Sequence, residues 1–386
     1  NEGDMREIGI GVIGTGFMGK AHAIAYSASA SVFGTGLRPV LQIVCDLSPE
    51  RASQRATDLG FSRYTDKWQD VVLDPAVDLI SICTPNDTHA EIAIAALNAG
   101  KHVWCEKPMS TSLADSHAML AAAQESNGKT IIGYNYTKNP VVTYARRLIE
   151  DGKIGRVSGF FCRYDVENEA DESRPWSWRM SRNSSGTGAN GDVLSHVISI
   201  GHFLTGSHIT NVVGDINIVH EKRTNPDDGS EMLVDNDDMV SALVHFENGV
   251  KGHIGASRVT WGRKCGLRWE IHGTRGTISF DQERLNEIKL FTAEDDDASN
   301  GFRTILTGPY HPPYSAFLPN AGHSLGYMDV KICELHDLLN GIETGADVWP
   351  DFTAGLKIEQ VMDAVDRSAQ TGAWVKVCLL YTSPSP

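Results

Sequence analysis

Hydrophobic positions in this chain follow two rhythms. From residue 6 to about residue 133, short apolar runs alternate with stretches whose apolar residues recur at helical spacing. The first run, Arg6–Ile13, reads Arg-Glu-Ile-Gly-Ile-Gly-Val-Ile. It suits a strand covered on both faces, as in a parallel sheet. The pattern then predicts a helix over Phe17–Ala30, a strand over Val40–Cys45 and another over Asp78–Cys83. An alanine-rich helix follows from His89 to Ala99, stopped by Gly100, with further strands at His102–Cys105 and Thr130–Gly133. Strands and helices alternating at this spacing imply right-handed βαβ units. The second rhythm begins after residue 150. Val157–Glu167 mixes β-branched and aromatic residues. Met239–Phe246 and Val250–Val259 flank Asn248-Gly249, a hairpin signal for a type I′ turn. Leu267–His272 and Thr277–Phe280 flank Gly273–Gly276 as a second hairpin, and Glu221–Asp238 reads as a long polar loop.

Between the first strand and first helix lies Gly14-Thr15-Gly16-Phe17-Met18-Gly19. Gly14 and Gly16 suit a tight turn and close approach of backbone to a pyrophosphate, and Gly19 lets the helix pack on the strand. The helix N-terminus then offers its amides to the phosphates. Asp46, ending the second strand, is the acidic residue expected to accept the adenosine ribose hydroxyls. It comes late, and the stretch Ser31–Pro39 accounts for the delay. A carboxylate there repels a 2′-phosphate, which favours NAD over NADP, although Arg51 stands within reach as a possible phosphate partner.

Two further features carry chemistry. Glu106-Lys107-Pro108 ends the strand His102–Cys105, so an ammonium group stands where such sheets bind ligands. Asp192 and His196 are four residues apart in an expected amphipathic helix, which puts them on one face. Hydride removal from a secondary alcohol needs a base within reach of the hydroxyl and a positive group to stabilise developing negative charge.

Taken in order, Gly14 to Gly19, Thr84-Pro85-Asn86 with His89, Glu106-Lys107-Pro108, Gly133-Tyr-Asn-Tyr136 and Gly191-Asp192 leading to His196 resemble the Gfo/Idh/MocA oxidoreductase family over residues 5–377. The resemblance implies an N-terminal Rossmann NAD-binding domain (5–135) and a C-terminal α/β domain with a large, mostly antiparallel open sheet (136–377). It implies cofactor contacts from Gly14, Gly16, Phe17, Met18, Gly19, Asp46, Thr84, Pro85, Asn86, His89, Glu106 and Lys107. Lys107, Asp192 and His196 become the expected catalytic group. His196 or Lys107 takes the proton, with His196 favoured by its near-neutral pKa. Asp192 binds substrate or tunes the other two. The family's paired sheets imply a dimer or tetramer. Tyr136, Trp178, Arg179 and His323 join the expected substrate contacts. An arginine fork suits neighbouring hydroxyls, and a tryptophan face suits the apolar side of a sugar ring. The substrate class implied is a neutral polyhydroxylated ring, a cyclitol or sugar oxidised by an NAD-dependent dehydrogenase. An NAD-using glycoside-cleaving enzyme is the alternative within the family.

Composition sets limits. The net charge of −15 argues against nucleic acid as a partner. Seven cysteines without a Cys-x-x-Cys pair suit reduced thiols and a cytoplasmic enzyme, and no zinc-ligand spacing or membrane span is evident. Glu294–Asp297 is expected to be a solvated acidic loop. Met5 reads as a natural start, and Cys378–Pro386 breaks the family pattern, so a disordered tail unrelated to the fold is expected there.

Overall fold

Six strands of the computed structural model pair in parallel: β1 (Arg6–Ile13), β2 (Leu37–Cys45), β3 (Arg63–Thr65), β4 (Leu79–Ile82), β5 (His102–Cys105) and β6 (Thr130–Ile132). The structure describes residues 6–34, 36–293 and 297–377, so the acidic residues 294–296 and the tail 378–386 lie outside it. The strand order is β3-β2-β1-β4-β5-β6. It reverses between β1 and β4, where a doubly wound sheet opens a crevice at its carboxyl ends. Between the strands run α1 (Phe17–Phe33), α2 (Pro49–Leu59), α3 (Trp68–Leu73), α4 (His89–Asn98) and α5 (Leu113–Glu125). Ile10, Leu79, Ile80, Ile82, Val103 and Trp104 have no solvent exposure, as the continuous apolar runs require. Helix α1 continues past Ala30 to Phe33 and closes on Gly34 at φ 60°. The delay before Asp46 is therefore partly helix and partly an early start of β2.

After α6 (Pro140–Glu150), α7 (Arg182–Ser185) and α8 (Ser195–Thr205) come α9 (Tyr314–Phe317), α10 (Tyr327–Thr344) and α11 (Phe352–Thr371). The chain divides into two units, one made of residues to Asn139 with Pro312–Leu356, the other of Pro140–His311 with residues from Lys357 on. The single boundary read from sequence, at 135/136, assigned 312–356 to the second domain. Those residues pack instead with the Rossmann sheet: Leu335, Leu338 and Leu339 of α10 share a buried cluster with Ala23, Ala25 and Tyr26 of α1 and Trp104 of β5.

In the second unit, β7 (Val157–Asp165), β8 (Ile209–Asn217), β11 (Met239–Phe246), β12 (Lys251–Ser257), β13 (Gly266–Gly273), β14 (Gly276–Asp281), β15 (Glu287–Thr292), β16 (Arg303–Leu306) and β17 (Val375–Lys376) form a nine-stranded sheet. Its order is β16-β15-β14-β13-β7-β12-β11-β8-β17, with β7 and β12 parallel and the remaining described pairs antiparallel. The stretch expected as one long loop, 221–238, contains the paired strands β9 (Lys222–Thr224) and β10 (Glu231–Leu233).

The β11–β12 turn also differs from expectation. Gly249 has φ 88° but no other residue type has positive φ among the described residues, so Asn248 does not take the left-handed conformation of a type I′ turn. The Gly249 amide donates to the Phe246 carbonyl (3.0 Å) and the Phe246 amide to the Val250 carbonyl (2.8 Å), the pattern of a three-residue loop with glycine at the bulge. Among the described residues no helix is long and apolar enough to cross a membrane.

Candidate active site

The glycine loop has the local geometry a dinucleotide requires. Gly14 sits at φ 93°, and a Cβ there would meet the Cys83 carbonyl oxygen at 2.5 Å. A Cβ on Gly19 would lie 1.9 Å from the Gly14 carbonyl oxygen, whereas a Cβ on Gly16 would meet nothing within 4 Å. Gly14 and Gly19 are thus required by the protein's own packing. Gly16 is not, and its open side suits a phosphate resting on the backbone. Gly16 is also the N-cap of α1 and supplies no side-chain cap, and no acidic residue occupies the first turn. The first amides of α1 therefore remain available for an anion. Phe17 is largely exposed and Met18 half-buried beside them.

Asp46 ends β2 almost buried. Burial opposes its ionisation, but the Thr15 hydroxyl, the Ser48 amide and the Arg51 guanidinium outweigh it and hold the carboxyl below its ordinary range. The Thr15 hydroxyl donates to Oδ2 and the Arg51 Nε to Oδ1 at 2.8 Å. Arg51, read from sequence as a possible phosphate partner, is occupied by Asp46. The chain's own residues thus present an ionised carboxylate whose Oδ2 accepts, among the described residues, from Thr15 alone and has a lone pair left, which fits a ribose hydroxyl of NAD.

At the carboxyl ends of β4 and β5 two of the expected cofactor residues also hold protein partners. His89, expected to touch the cofactor, is buried with Nδ1 3.0 Å from the Pro108 carbonyl and Nε2 3.0 Å from the Thr84 carbonyl. It ties the loop after β4 to the loop after β5. Glu106, also expected at the cofactor, is buried, and its Oε1 lies 2.9 Å from His22 Nε2 and 2.6 Å from Lys331 Nζ. Thr84 and Asn86 stay half-exposed and Pro85 exposed on the lip of the β4 loop, where a short 3₁₀ turn spans Asn86–Thr88. Lys107, half-buried, follows Glu106 and is joined to Pro108 by a cis peptide bond. The glycine loop, Asp46, Thr84–Asn86 and Lys107 therefore stand at the carboxyl ends of β1, β2, β4 and β5, neighbours in the sheet.

In the second unit, Asp192 lies in a π-helical turn, Asn190–Leu194, that runs directly into α8. The sequence reading expected one regular helix. The wider turn still keeps positions i and i+4 near one face, and such turns recur at functional sites. Asp192 is half-buried and His196 buried, with the Tyr164 ring edge-on to the His196 ring at 5.8 Å. A clamp missed from sequence holds this turn. Asp237 accepts from the Gly188 amide (2.8 Å) and the Asn190 amide (2.7 Å), while the Ala189 amide donates to the Asp237 carbonyl. Burial raises the Asp237 carboxyl above its usual range. Asn236 donates to the Arg179 carbonyl and the Ser185 hydroxyl, and Arg258 bridges Asn236, Asp238 and the same Arg179 carbonyl. The run Asp235-Asn236-Asp237-Asp238 was the available signal: four adjacent polar residues directly before the strand β11.

That clamp joins the Trp178–Arg179 segment to the Asp192 turn. The exposed Arg179 guanidinium stacks over the half-buried Trp178 ring at 4.4 Å, one amphipathic surface for hydroxyls and ring carbons. Tyr136 and His323 belong to the first unit. Tyr136 is buried, its ring edge-on to Tyr327, whose ring in turn meets Phe17 at 5.6 Å. His323 is exposed with Nδ1 3.3 Å from the Asn320 carbonyl. Tyr327 escaped the sequence reading, although it follows His323 by four residues at the start of α10.

Comparison with known proteins bears on both units. The family model for the oxidoreductase family with NAD-binding Rossmann fold (Gfo/Idh/MocA) matches residues 8–134, and the Gfo/Idh/MocA C-terminal domain matches residues 142–279. Levoglucosan dehydrogenase of Pseudarthrobacter phenanthrenivorans is 36% identical, across 97% of this chain and 99% of that protein. Inositol 2-dehydrogenase of Rhizobium meliloti is 26% identical, across 93% and 96%. A solved levoglucosan dehydrogenase in complex with NADH and L-sorbose superimposes with a TM-score of 0.95 at 37% identity, covering 97% of this chain and 100% of that one. The complex of that enzyme with NADH and levoglucosan gives 0.93 at the same identity and coverage.

Proposed function

The chain belongs to the Gfo/Idh/MocA oxidoreductase family, and from that premise we propose that it is an NAD-dependent dehydrogenase of a polyhydroxylated ring, with levoglucosan-like anhydrosugars the first substrate class and free sugars and inositols next. The observation that carries the substrate class is likeness to levoglucosan dehydrogenase along nearly the whole length of both chains. Bound NAD would supply the hydride acceptor. The α1 amides and the open side of Gly16 hold the pyrophosphate, and Asp46 accepts the ribose hydroxyls. On this reading His196 takes the hydroxyl proton as the C–H bond is broken. Lys107 donates a hydrogen bond to the same oxygen and stabilises its negative charge, and Asp192 orients the pair. The Arg179 fork and the Trp178 face grip the remaining hydroxyls and ring carbons. We also place the enzyme in a homo-oligomer, a dimer or tetramer.

The test is NADH formation across levoglucosan, other anhydrosugars, D- and L-monosaccharides and inositols, with NADP in parallel. Turnover of a carbohydrate with NAD supports the reading. Silence across the panel by a protein that binds NAD removes it. Release of an aglycone from a glycoside without net NADH would point to the oxidation–elimination route instead.

A further inference from the structure

A chain of buried polar groups runs beneath Lys107, and the dehydrogenase chemistry proposed above does not use it. Tyr26 of α1 and Ser81 of β4 are 2.8 Å apart, and Ser81 lies 2.9 Å from His22 Nδ1. His22 Nε2 reaches Glu106 Oε1 at 2.9 Å, and Lys331 Nζ of α10 reaches the same oxygen at 2.6 Å. Lys331 also lies 2.6 Å from Glu334 Oε2, whose second oxygen has no hydrogen-bond partner. Lys331 and Glu334 have no solvent exposure at all. The Lys331 ammonium stands 4.9 Å above the Trp104 ring, on which His22 stacks at 3.5 Å. Hydrogen-bond roles fall into place with a neutral His22: its Nε2–H donates to Glu106 while Nδ1 accepts from Ser81. Burial and the nearby Lys331 cation both favour that neutral form.

Such a network is a poor way to stabilise a core. Desolvating an ammonium and two carboxylates is costly, and apolar side chains of the same volume would serve as well or better. What ions and hydrogen bonds add is direction. Glu106 is the residue before Lys107, and its carboxylate fills the space a Gly133 side chain would need: a Cβ there would lie 2.6 Å from Oε1. One carboxylate thus fixes the end of β5, the exit from β6 and, through Lys331, the first turns of α10. Other titratable groups whose charge is felt in this cluster are His89, Tyr327, the Cys83 thiol and Lys138, itself paired with Asp337 at 2.6 Å.

We propose that Lys331 and Glu334 are positioning residues for Lys107, acting through Glu106 to hold the β5 turn in the geometry in which the Lys107 ammonium meets the substrate oxygen. The inference rests on the assignment of Lys107 to the chemistry. A lysine on a turn free to shift by an ångström would lose most of its contribution, about 10²-fold in rate.

The experiment uses the full chain with Lys331→Met, Glu106→Gln and the double variant, in which the ammonium and the Glu106 carboxylate leave together and the buried Glu334 carboxyl, freed of the pull of Lys331, stays protonated. Hydrogen exchange at residues 105–109, NAD affinity, melting temperature, kcat and KM are measured together. The expected result is faster exchange confined to residues 105–109 and 133–136 and a kcat lower by about 10²-fold, with KM and NAD affinity near those of the parent. The double variant should regain melting temperature but not kcat. Should Lys331→Met fail to accumulate folded, Glu106→Gln, nearly isosteric, breaks the same link. Unchanged exchange at 105–109 in folded variants, or recovery of kcat together with melting temperature in the double variant, overturns the proposal. Faster local exchange with kcat unchanged, alongside an equally active Lys107→Ala, supports the positioning and overturns the role of Lys107 instead.

Discussion

Arg51 grips Asp46 with Nε and a terminal guanidinium nitrogen, each 2.8 Å from the same carboxylate oxygen. The arginine is thereby directed at the carboxylate and away from any phosphate. Asp46→Ala removes both the repulsion of a 2′-phosphate and the partner that restrains Arg51. A charge-assisted contact is worth about 1.5–3 kcal/mol. The NAD-to-NADP preference, read as a ratio of kcat/KM, should therefore fall by about 10- to 10²-fold. An unmoved ratio would take Asp46 out of the ribose site.

Gly16 and Gly19 should separate binding from stability. Gly16 has φ −66° and ψ −163°, ordinary extended backbone, with open space on its Cβ side. Gly16→Ala should melt like the parent while binding NAD more weakly, seen by calorimetric titration. Gly19→Ala forces a methyl group against the Gly14 carbonyl. It should cost about 1–3 kcal/mol of stability in denaturant unfolding.

Replacing His196 or Lys107 by alanine should lower kcat by about 10²- to 10⁴-fold, the usual range for a lost acid–base group. KM should move far less if the contact is made chiefly in the transition state. Stopped-flow measurement of the first turnover separates this loss from slow product release. Asp237→Ala should also damage catalysis, although it has no assigned contact with substrate, because two amides of the Asp192 turn lose their acceptor.

Stability should respond to pH through two groups of opposite sign. His22 is held neutral, its pKa lowered to about 4 by burial and by Lys331. The unfolded chain binds its proton more readily, so this contribution is present above the unfolded pKa of about 6.5 and is lost as pH falls to about 4. In full it is on the order of 3 kcal/mol. Glu334 is shifted upward to about 7, by burial first and by Glu106, against the pull of Lys331. The folded chain binds this proton more tightly than the unfolded one, so that contribution is present below the ordinary carboxylate pKa and disappears as pH rises through about 7. Glu334→Gln should remove the second slope and leave the first, measured as melting temperature from pH 4 to 8.

Much of the dinucleotide half was legible because its signals are local. Glycines five residues apart, an acid at a strand end and a lysine beside proline each report a constraint set within one turn of chain. The helical spacing of Asp192 and His196 was legible for the same reason, although its π-helical turn was not. What escaped depends on residues far apart in sequence. Nothing in the sequence near Glu106 reveals its ammonium partner Lys331, 225 positions away. The Asn248-Gly249 turn shows a different limit: the dipeptide permits a type I′ turn, but strand register selects a three-residue loop. The polar stretch 221–238 concealed a two-stranded ribbon and the Asn236–Asp238 clamp, since loop-like composition does not exclude buried polar anchors. Lys331 and Glu334, two charges inside the otherwise apolar face of α10, were the one readable hint of the network.

The return of residues 312–356 to the first unit has a consequence for how the protein is made. A fragment ending near residue 135 would lack Leu335, Leu338 and Leu339 against α1 and would leave Glu106 without its ammonium partner. During synthesis the nascent sheet must wait, its apolar flank uncovered, until α10 has emerged from the ribosome. Residues 140–311, most of the second unit, have then been translated as well. The unit that begins first of the two therefore cannot finish folding until most of the other has been made.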